Sequence, residues 1–352
     1  MSAQPAKQFR WAAASVALLV AGTSFYQSIL LIPATIYLIA SLNRVQEANP
    51  SWSSILRRAY WIIALTLSSF AIYSIITIAA RHELGIPRAH SLDMMTAWFR
   101  FPAGAVAWEA ITAVRGELFG HGFYGNGMFA TIWLAVGIIL IKSFRNSQPP
   151  RQIMFTVMLL AMALIAPFIL VLILGEDQPA RVFLAQPIVF AGVWAIALRS
   201  EEKHLSALPA AICAIAVLSG SYTVSALFFS DTMAYEADTL LATRIVSAIY
   251  RADPEFDQEK IPVYFSGAVF TSNLWRHENF EVFGASFFSW DGGNPKRIIA
   301  FLKTTSIADL TEPSAQQIAV TQSAMAAMPS WPNPNSVRLI GNIMAVRLGH
   351  TP

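Results

Sequence analysis

The sequence predicts a mainly α, polytopic membrane helix bundle of about seven spans, followed by a small α/β C-terminal domain on the outer face. Three observations carry this. Of 352 residues, 55% are hydrophobic and 13% charged, about half the charged share of an ordinary soluble domain, and the mean hydropathy is +0.50. The apolar residues fall into runs near the ~20 that a bilayer requires, with the charges between them. After Phe229 these runs stop, and short amphipathic and alternating segments take over. The expected domains are therefore 1–229, a membrane region with an outer-face loop 80–127, and 230–352, an extracytoplasmic tail. A net charge of +3 is too small to argue for nucleic acid. The single cysteine, Cys213, sits in an apolar run, which leaves no disulfide framework and no cysteine metal site.

Taken in order, residues 1–10 carry Lys7 and Arg10 and no acid. Trp11–Leu42 as one helix would be about 48 Å long against a hydrocarbon core of about 30 Å. Two short tilted spans turning at Ser24-Phe25-Tyr26-Gln27 fit better than one broken helix. Tyr60–Ala79, Phe123–Ile141, Met154–Leu174, Val182–Leu198 and Leu205–Phe229 read as the further spans. With this count, Lys7 and Arg10, Arg44, Arg57 and Arg58, Lys142, Arg145 and Arg151, and Arg199 and Lys203 all fall on one side. The excess of Lys and Arg makes that side cytoplasmic. Arg81–Gly127, Gly175–Arg181 and the tail then share the outer face.

In the tail, Asp231–Arg251 reads as a helix stopped by Asp253-Pro254, and Pro262–Ala268 as a strand. Gly284–Trp290 reads as a strand or a surface loop. Pro295–Lys303 and Glu312–Met328 read as helices, and Ser336–Ile340 with Asn342–Leu348 as a hairpin about Gly341.

No Walker loop, dinucleotide fingerprint, HExxH or GxSxG is present, and the Gly-rich run Gly120–Gly127 matches no phosphate loop. No metal-ligand spacing is visible, so neither a metal nor another cofactor is expected. Arg81–Gly127 is too apolar for disorder and too long for an ordinary connection. It reads as amphipathic helices lying on the membrane surface. Its acids Glu83, Asp93, Glu109 and Glu117 are candidates to accept the proton of a sugar hydroxyl. Arg81, Arg88, Arg100 and Arg181 are candidates to hold a phosphate leaving group. Each could equally be a solvated or headgroup-paired charge. Asp93 and Arg100 are seven apart, so two helical turns would align them. The loop Gly175–Arg181 places Glu176 and Asp177 beside Arg181 at the membrane boundary, where the arginine meets a lipid phosphate or snorkels. Tyr26 and Gln27 form a polar pair at a span turn, for substrate binding or for local hydrogen bonds. Phe287, Phe288, Trp290 and Trp331 could stack on sugar rings or pack inside the tail.

The order of these features resembles a known family. The Ser24-Phe25-Tyr26-Gln27 element follows an apolar start, and Pro179-Ala180-Arg181 enters a span. Tyr235 to Arg244 lead into the strand Val263–Gly267, and then come Gly284-Ala285-Ser286-Phe287 with Trp290, Met328-Pro329-Ser330-Trp331-Pro332 and Ser336-Val337. Together they resemble the bacterial and phage O-antigen-modifying, serotype-converting glucosyltransferases, polytopic membrane enzymes of the GT-C type. The resemblance covers most of the chain and is densest in the tail. It implies a glycosyltransferase that moves a sugar, usually glucose, from a polyprenyl-phosphate carrier to O-antigen or a related polysaccharide of the lipopolysaccharide. The transfer would occur at the outer (periplasmic) face of the cell inner membrane, in contact with membrane lipid. A separate carrier-glucosyl synthase and a flippase are the implied companions. Enzymes of this class usually place an essential acid in the first outer loop. The turn Ser24–Gln27 has none, and the chain starts close to a middle span of the family, so an N-terminal part is expected to be missing or divergent. If the chain acts as it stands, the acid comes from Arg81–Gly127 or from Glu176 and Asp177. The alternative is a truncated or non-catalytic membrane protein that binds the carrier lipid or glycan. A transporter would bury charges within its spans, and these spans hold almost none.

Overall fold

The computed structural model describes residues 5–47, 52–85, 96–120, 122–199 and 207–349. Arg88, His90, Asp93 and His121 lie outside the described residues. Two compact units are present, Met1–Gly220 and Ser221–Pro352.

In the first unit, α1 (Pro5–Phe25) ends at Tyr26, whose backbone is extended with φ −156° and ψ 121°. A 3-10 turn, Gln27–Leu30, then leads into α2 (Leu31–Glu47). The apolar start is thus two helices that part where the sequence turns polar. Helix α3 (Trp52–Leu84) has 33 residues, about 50 Å at the α-helical rise. It carries Arg81 and Glu83 in its final turns, so the outer segment begins on a long apolar helix rather than on a separate surface helix. Then follow α4 (Ala103–Phe119), α5 (Ile132–Arg145) and α6 (Pro150–Ile165). Pro167 breaks the next turn, and α7 (Ile169–Leu174) continues beyond it. Helix α8 (Gln186–Leu198) is short, and α9 begins at Ala207.

Among the described residues, five helical stretches are long and apolar enough to cross a membrane: Gln27–Glu47, Ser53–Leu84, Gly127–Arg145, Pro150–Leu174 and Ala210–Ala252. Phe9–Phe25 and Gln186–Leu198 are shorter apolar helices. The core joins α2, α5, α6 and α8, where Leu42, Ala135, Ala163 and Val193 are fully buried. The Lys142 ammonium of α5 donates to the carbonyls of Ala197 at 2.6 Å and Arg199 at 2.9 Å, satisfying the open C-terminal end of α8.

Where the sequence suggests a span to Phe229 and a separate helix from Asp231, the structure has one helix, α9 (Ala207–Ala252), of 46 residues. Ser230-Asp231-Thr232 looks like a helix start, but no Gly or Pro breaks the chain there. The Thr232 hydroxyl bonds back to the Phe228 carbonyl at 2.9 Å instead of capping a new helix.

The second unit packs the C-terminal part of α9 on a three-stranded sheet of order β1-β3-β2. Strand β1 (Val263–Ser266) runs parallel to β3 (Ile343–Arg347), with Val263 opposite Met344. Strand β2 (Val337–Ile340) pairs antiparallel with β3 in the expected hairpin. Helix α10 (Pro295–Thr304) is capped by Asn294, and α11 (Ala315–Met325) by a Ser314/Gln317 capping box. The core sets Ala242, Ile245 and Ile249 of α9 against Phe265, Ile298 and Met344. Gly284–Trp290 forms turns rather than a strand. The Ser286 hydroxyl donates to Asp238 Oδ1 at 2.5 Å and the Phe287 N–H to Oδ2 at 2.7 Å, so this segment is tied to a helix instead of a sheet edge.

Candidate active site

The site grows from one face of α4. Positions 106, 110, 113 and 117 recur at helical spacing and share a face. Val106 and Ala110 on it are buried, and the face packs on Phe168, Val171 and Phe183. Glu117 is drawn inward with them. Glu109 is exposed on the same helix. The end of α4 is fixed to α5, because the Trp133 indole donates to the Leu118 carbonyl at 2.9 Å and its ring stacks on Phe119 at 4.6 Å.

Glu117 borders a small cavity of about 10 Å³ together with Phe129, Pro167, Phe168, Gln186 and Val189. Glu117 Oε2 and Gln186 Oε1 are both buried without a hydrogen-bond partner. Burial first, and then the nearby Asp177 carboxylate, push the Glu117 carboxyl up from 4.5 to about 7, against a hydrogen bond from Gln186 that holds it down. Near neutral pH this group is poised between its two forms.

Asp177, whose charge Glu117 senses, lies on the loop after α7. That helix ends at Gly175 in the left-handed conformation, φ 74° and ψ 18°. A Cβ there would lie 2.2 Å from Val106 Cγ1 and 2.9 Å from Trp98 Nε1. Only glycine combines this backbone with this approach to α4. The Trp98 indole donates to the Leu172 carbonyl at 3.1 Å, and Arg100 pairs with Glu176 at 3.2 Å. Both members of that pair are about two-fifths exposed, so it orients the loop more than it stabilises the fold. Asp177 is exposed, and its Oδ1 accepts the Gln178 N–H at 2.9 Å.

Arg181 follows on the 3-10 turn Ala180–Val182. Burial pushes the Tyr124 hydroxyl up, the Arg181 guanidinium pulls it down, and the Tyr26 hydroxyl raises it, so these three groups share one electrostatic neighbourhood. Tyr124 has φ 53° and ψ 37°, a conformation that costs a non-glycine residue on the order of 1 kcal/mol or more and recurs at functional sites. Next to Tyr26, Gln27 donates to the Tyr73 hydroxyl at 3.5 Å.

The fold therefore brings together Tyr26, Gln27, Arg100, Glu117, Glu176, Asp177 and Arg181, and adds Tyr124 and Gln186. Glu83 is exposed at the end of α3, and Arg81 borders a groove between α1 and α3. Asp93 and Arg88 lie outside the described residues, and Arg100 follows the 3-10 turn Ala97–Phe99. Trp290 belongs to the other unit, where the Arg297 guanidinium lies 4.4 Å over its ring and occupies one face. Glu117 was legible among the candidate acids, and it continues the apolar stripe of α4; Tyr124 and Gln186 were passed over. Neither of those two had a local signal in the sequence.

Apolar helices whose ends and connecting loops gather a poised carboxyl, an exposed carboxylate and arginines define a polytopic membrane protein. Residues 4–198, more than half of the chain, match the family described as Glucosyl transferase GtrII. The chain belongs to this glucosyltransferase family. The matched stretch lies in the first unit and leaves out the tail, where the motifs of the resemblance are densest. No curated protein and no solved structure matches the chain.

Proposed function

We propose that the chain transfers a glucosyl group from a polyprenyl-phosphate carrier to O-antigen or a related surface polysaccharide, at the outer face of a bacterial inner membrane. Beyond family membership, one observation carries this reading: Asp177, whose charge acts on the buried Glu117 carboxyl of α4, lies on the loop that also bears Arg181. In the reaction the bond from the sugar anomeric carbon to the carrier phosphate breaks, and a bond to the acceptor hydroxyl forms. The phosphate leaves with the bonding electrons, and the hydroxyl proton passes to a carboxylate. Asp177 is exposed and takes that proton. Glu117 is too enclosed to touch a sugar. Its readiness to stay protonated keeps a second negative charge away from Asp177. Arg181, with Arg100 behind it, holds the leaving phosphate. Tyr26 and Tyr124 line the same rim. The basic loops set this rim outside and the N-terminus inside, with the tail extracytoplasmic. A carrier-glucosyl synthase and a flippase supply the donor, and Trp290 contributes to acceptor binding.

The test is transfer of radiolabelled glucose from polyprenyl phosphate by the purified chain. Wild type is expected to transfer and Asp177→Asn to fail. A correctly inserted wild type that transfers nothing overturns the activity. A fully active Asp177→Asn overturns the assignment of the base.

A further inference from the structure

A groove of about 920 Å³ runs between α1 and α3. Its α3 wall extends from Leu65 to Arg81, sixteen residues or about 24 Å of helix, most of a hydrocarbon core of about 30 Å. The floor on α1 is flat because Ala13, Ala17 and Ala21 recur every four residues. The groove is also polarised along its length. Phe9, Val16 and Leu65 line it toward one end, and Ser24, Tyr73, Thr77 and Arg81 toward the other. Tyr73 accepts the hydrogen bond from Gln27, and the adjacent Tyr26 shares its electrostatic neighbourhood with Tyr124 and Arg181. The polar end of the groove therefore opens toward the candidate active site.

We infer that this groove binds the polyisoprenyl chain of the lipid-phosphate donor, with Arg81 at its mouth attracting the anionic head. The inference rests on the transferase reading. One apolar channel between two helices suits a single long chain, and one cation at the polar end suits one phosphate. Ala17 and its neighbours give the unbranched surface along which an isoprenoid lies flat.

The experiment places a photocrosslinking amino acid in the full chain, in lipid bilayers, at Val20 or Ile72 in the groove and at Leu18 or Ile75 outside it. Radiolabelled polyprenyl phosphate is one probe and radiolabelled phosphatidylglycerol the other. Polyprenyl phosphate is expected to label the groove positions and not the outside ones, and unlabelled polyprenyl phosphate to compete. Arg81→Gln is expected to weaken that labelling about tenfold, the loss of one charge-assisted contact. Ala17→Leu, which fills the floor, is expected to raise the donor KM with kcat retained. Equal labelling inside and outside, equal labelling by phosphatidylglycerol, or crosslinking to protein overturns the inference. Sugar transfer without groove labelling overturns the groove and leaves the transferase standing. Groove labelling by a chain that transfers no sugar supports the groove and overturns the transferase.

Discussion

The two units each sink a carboxylate into protein, and they treat it differently. Asp238 on α9 is fully buried, and both its oxygens accept short hydrogen bonds, from Ser286 and from the Phe287 N–H. Glu117 on α4 keeps one oxygen without a partner, has a second acid nearby, and titrates near 7. A buried charge whose hydrogen bonds are complete acts as a clamp, and here it folds Gly284–Trp290 onto a helix. A buried acid left short of donors and set near another acid is costly to keep, and such cost is characteristic of chemistry. Burial alone does not distinguish the two; the neighbours do.

The largest effect separates them directly. Asp177→Asn, beside Glu117, is expected to lower sugar transfer by roughly 10²–10⁴-fold, the usual worth of a general base, with the thermal midpoint unchanged. Gly175→Ala comes next. Its methyl group collides with Val106 and Trp98, displaces the Glu176–Arg181 loop, and costs on the order of 10²-fold in transfer, as small misplacements of reacting groups do. If full transfer survives, the loop is not part of the site. Asp238→Ala should act on stability instead. It strands the Ser286 hydroxyl and the Phe287 N–H and should cost the tail about 1–3 kcal/mol, measured by limited proteolysis. If transfer were lost while the tail stayed folded, the contrast would collapse.

The last test reads the pH dependence of stability, with activity left aside. The folded chain holds the Glu117 proton more tightly than the unfolded chain does, about 7 against 4.5. Its contribution to stability is complete below 4.5, declines as pH rises toward 7, and is flat above. Glu117→Gln, neutral throughout, should remove that decline from a plot of thermal midpoint against pH. Parallel curves for the two proteins would mean that the carboxyl is not buried as described.

Much of the membrane region was legible in the sequence, because a bilayer demands long apolar runs and the break at Tyr26-Gln27 interrupts one. The unity of α9 was not. Ser230-Asp231-Thr232 has helix-starting chemistry, and only the absence of Gly or Pro hints that the helix runs through it. Gly284–Trp290 read as a strand or a surface loop, because sequence does not reveal that Ser286 reaches Asp238, 48 positions earlier. The candidate site was legible as a set of residue types and not as a set of partners. Arg100 and Glu176 are 76 positions apart, and nothing local joins them. Glu117 stood among the acids, but which face of α4 turns inward is decided by Phe168, Val171 and Phe183 on other elements.

Helix α8 has 13 residues, about 20 Å of rise against a hydrocarbon thickness of about 30 Å. Its C-terminal carbonyls are held by Lys142, at the end of a neighbouring span. With that end fixed at one interface, Gln186 at the other end stops about 10 Å short of the opposite one. If α8 spans the bilayer in this way, the bilayer would pinch in here or water would dip to meet the helix, and Arg181 and Asp177 would sit at the bottom of a dimple, below the general level of the headgroups. A lipid-borne phosphate would not need to rise out of the leaflet to reach them, and the acceptor polysaccharide would have to reach down.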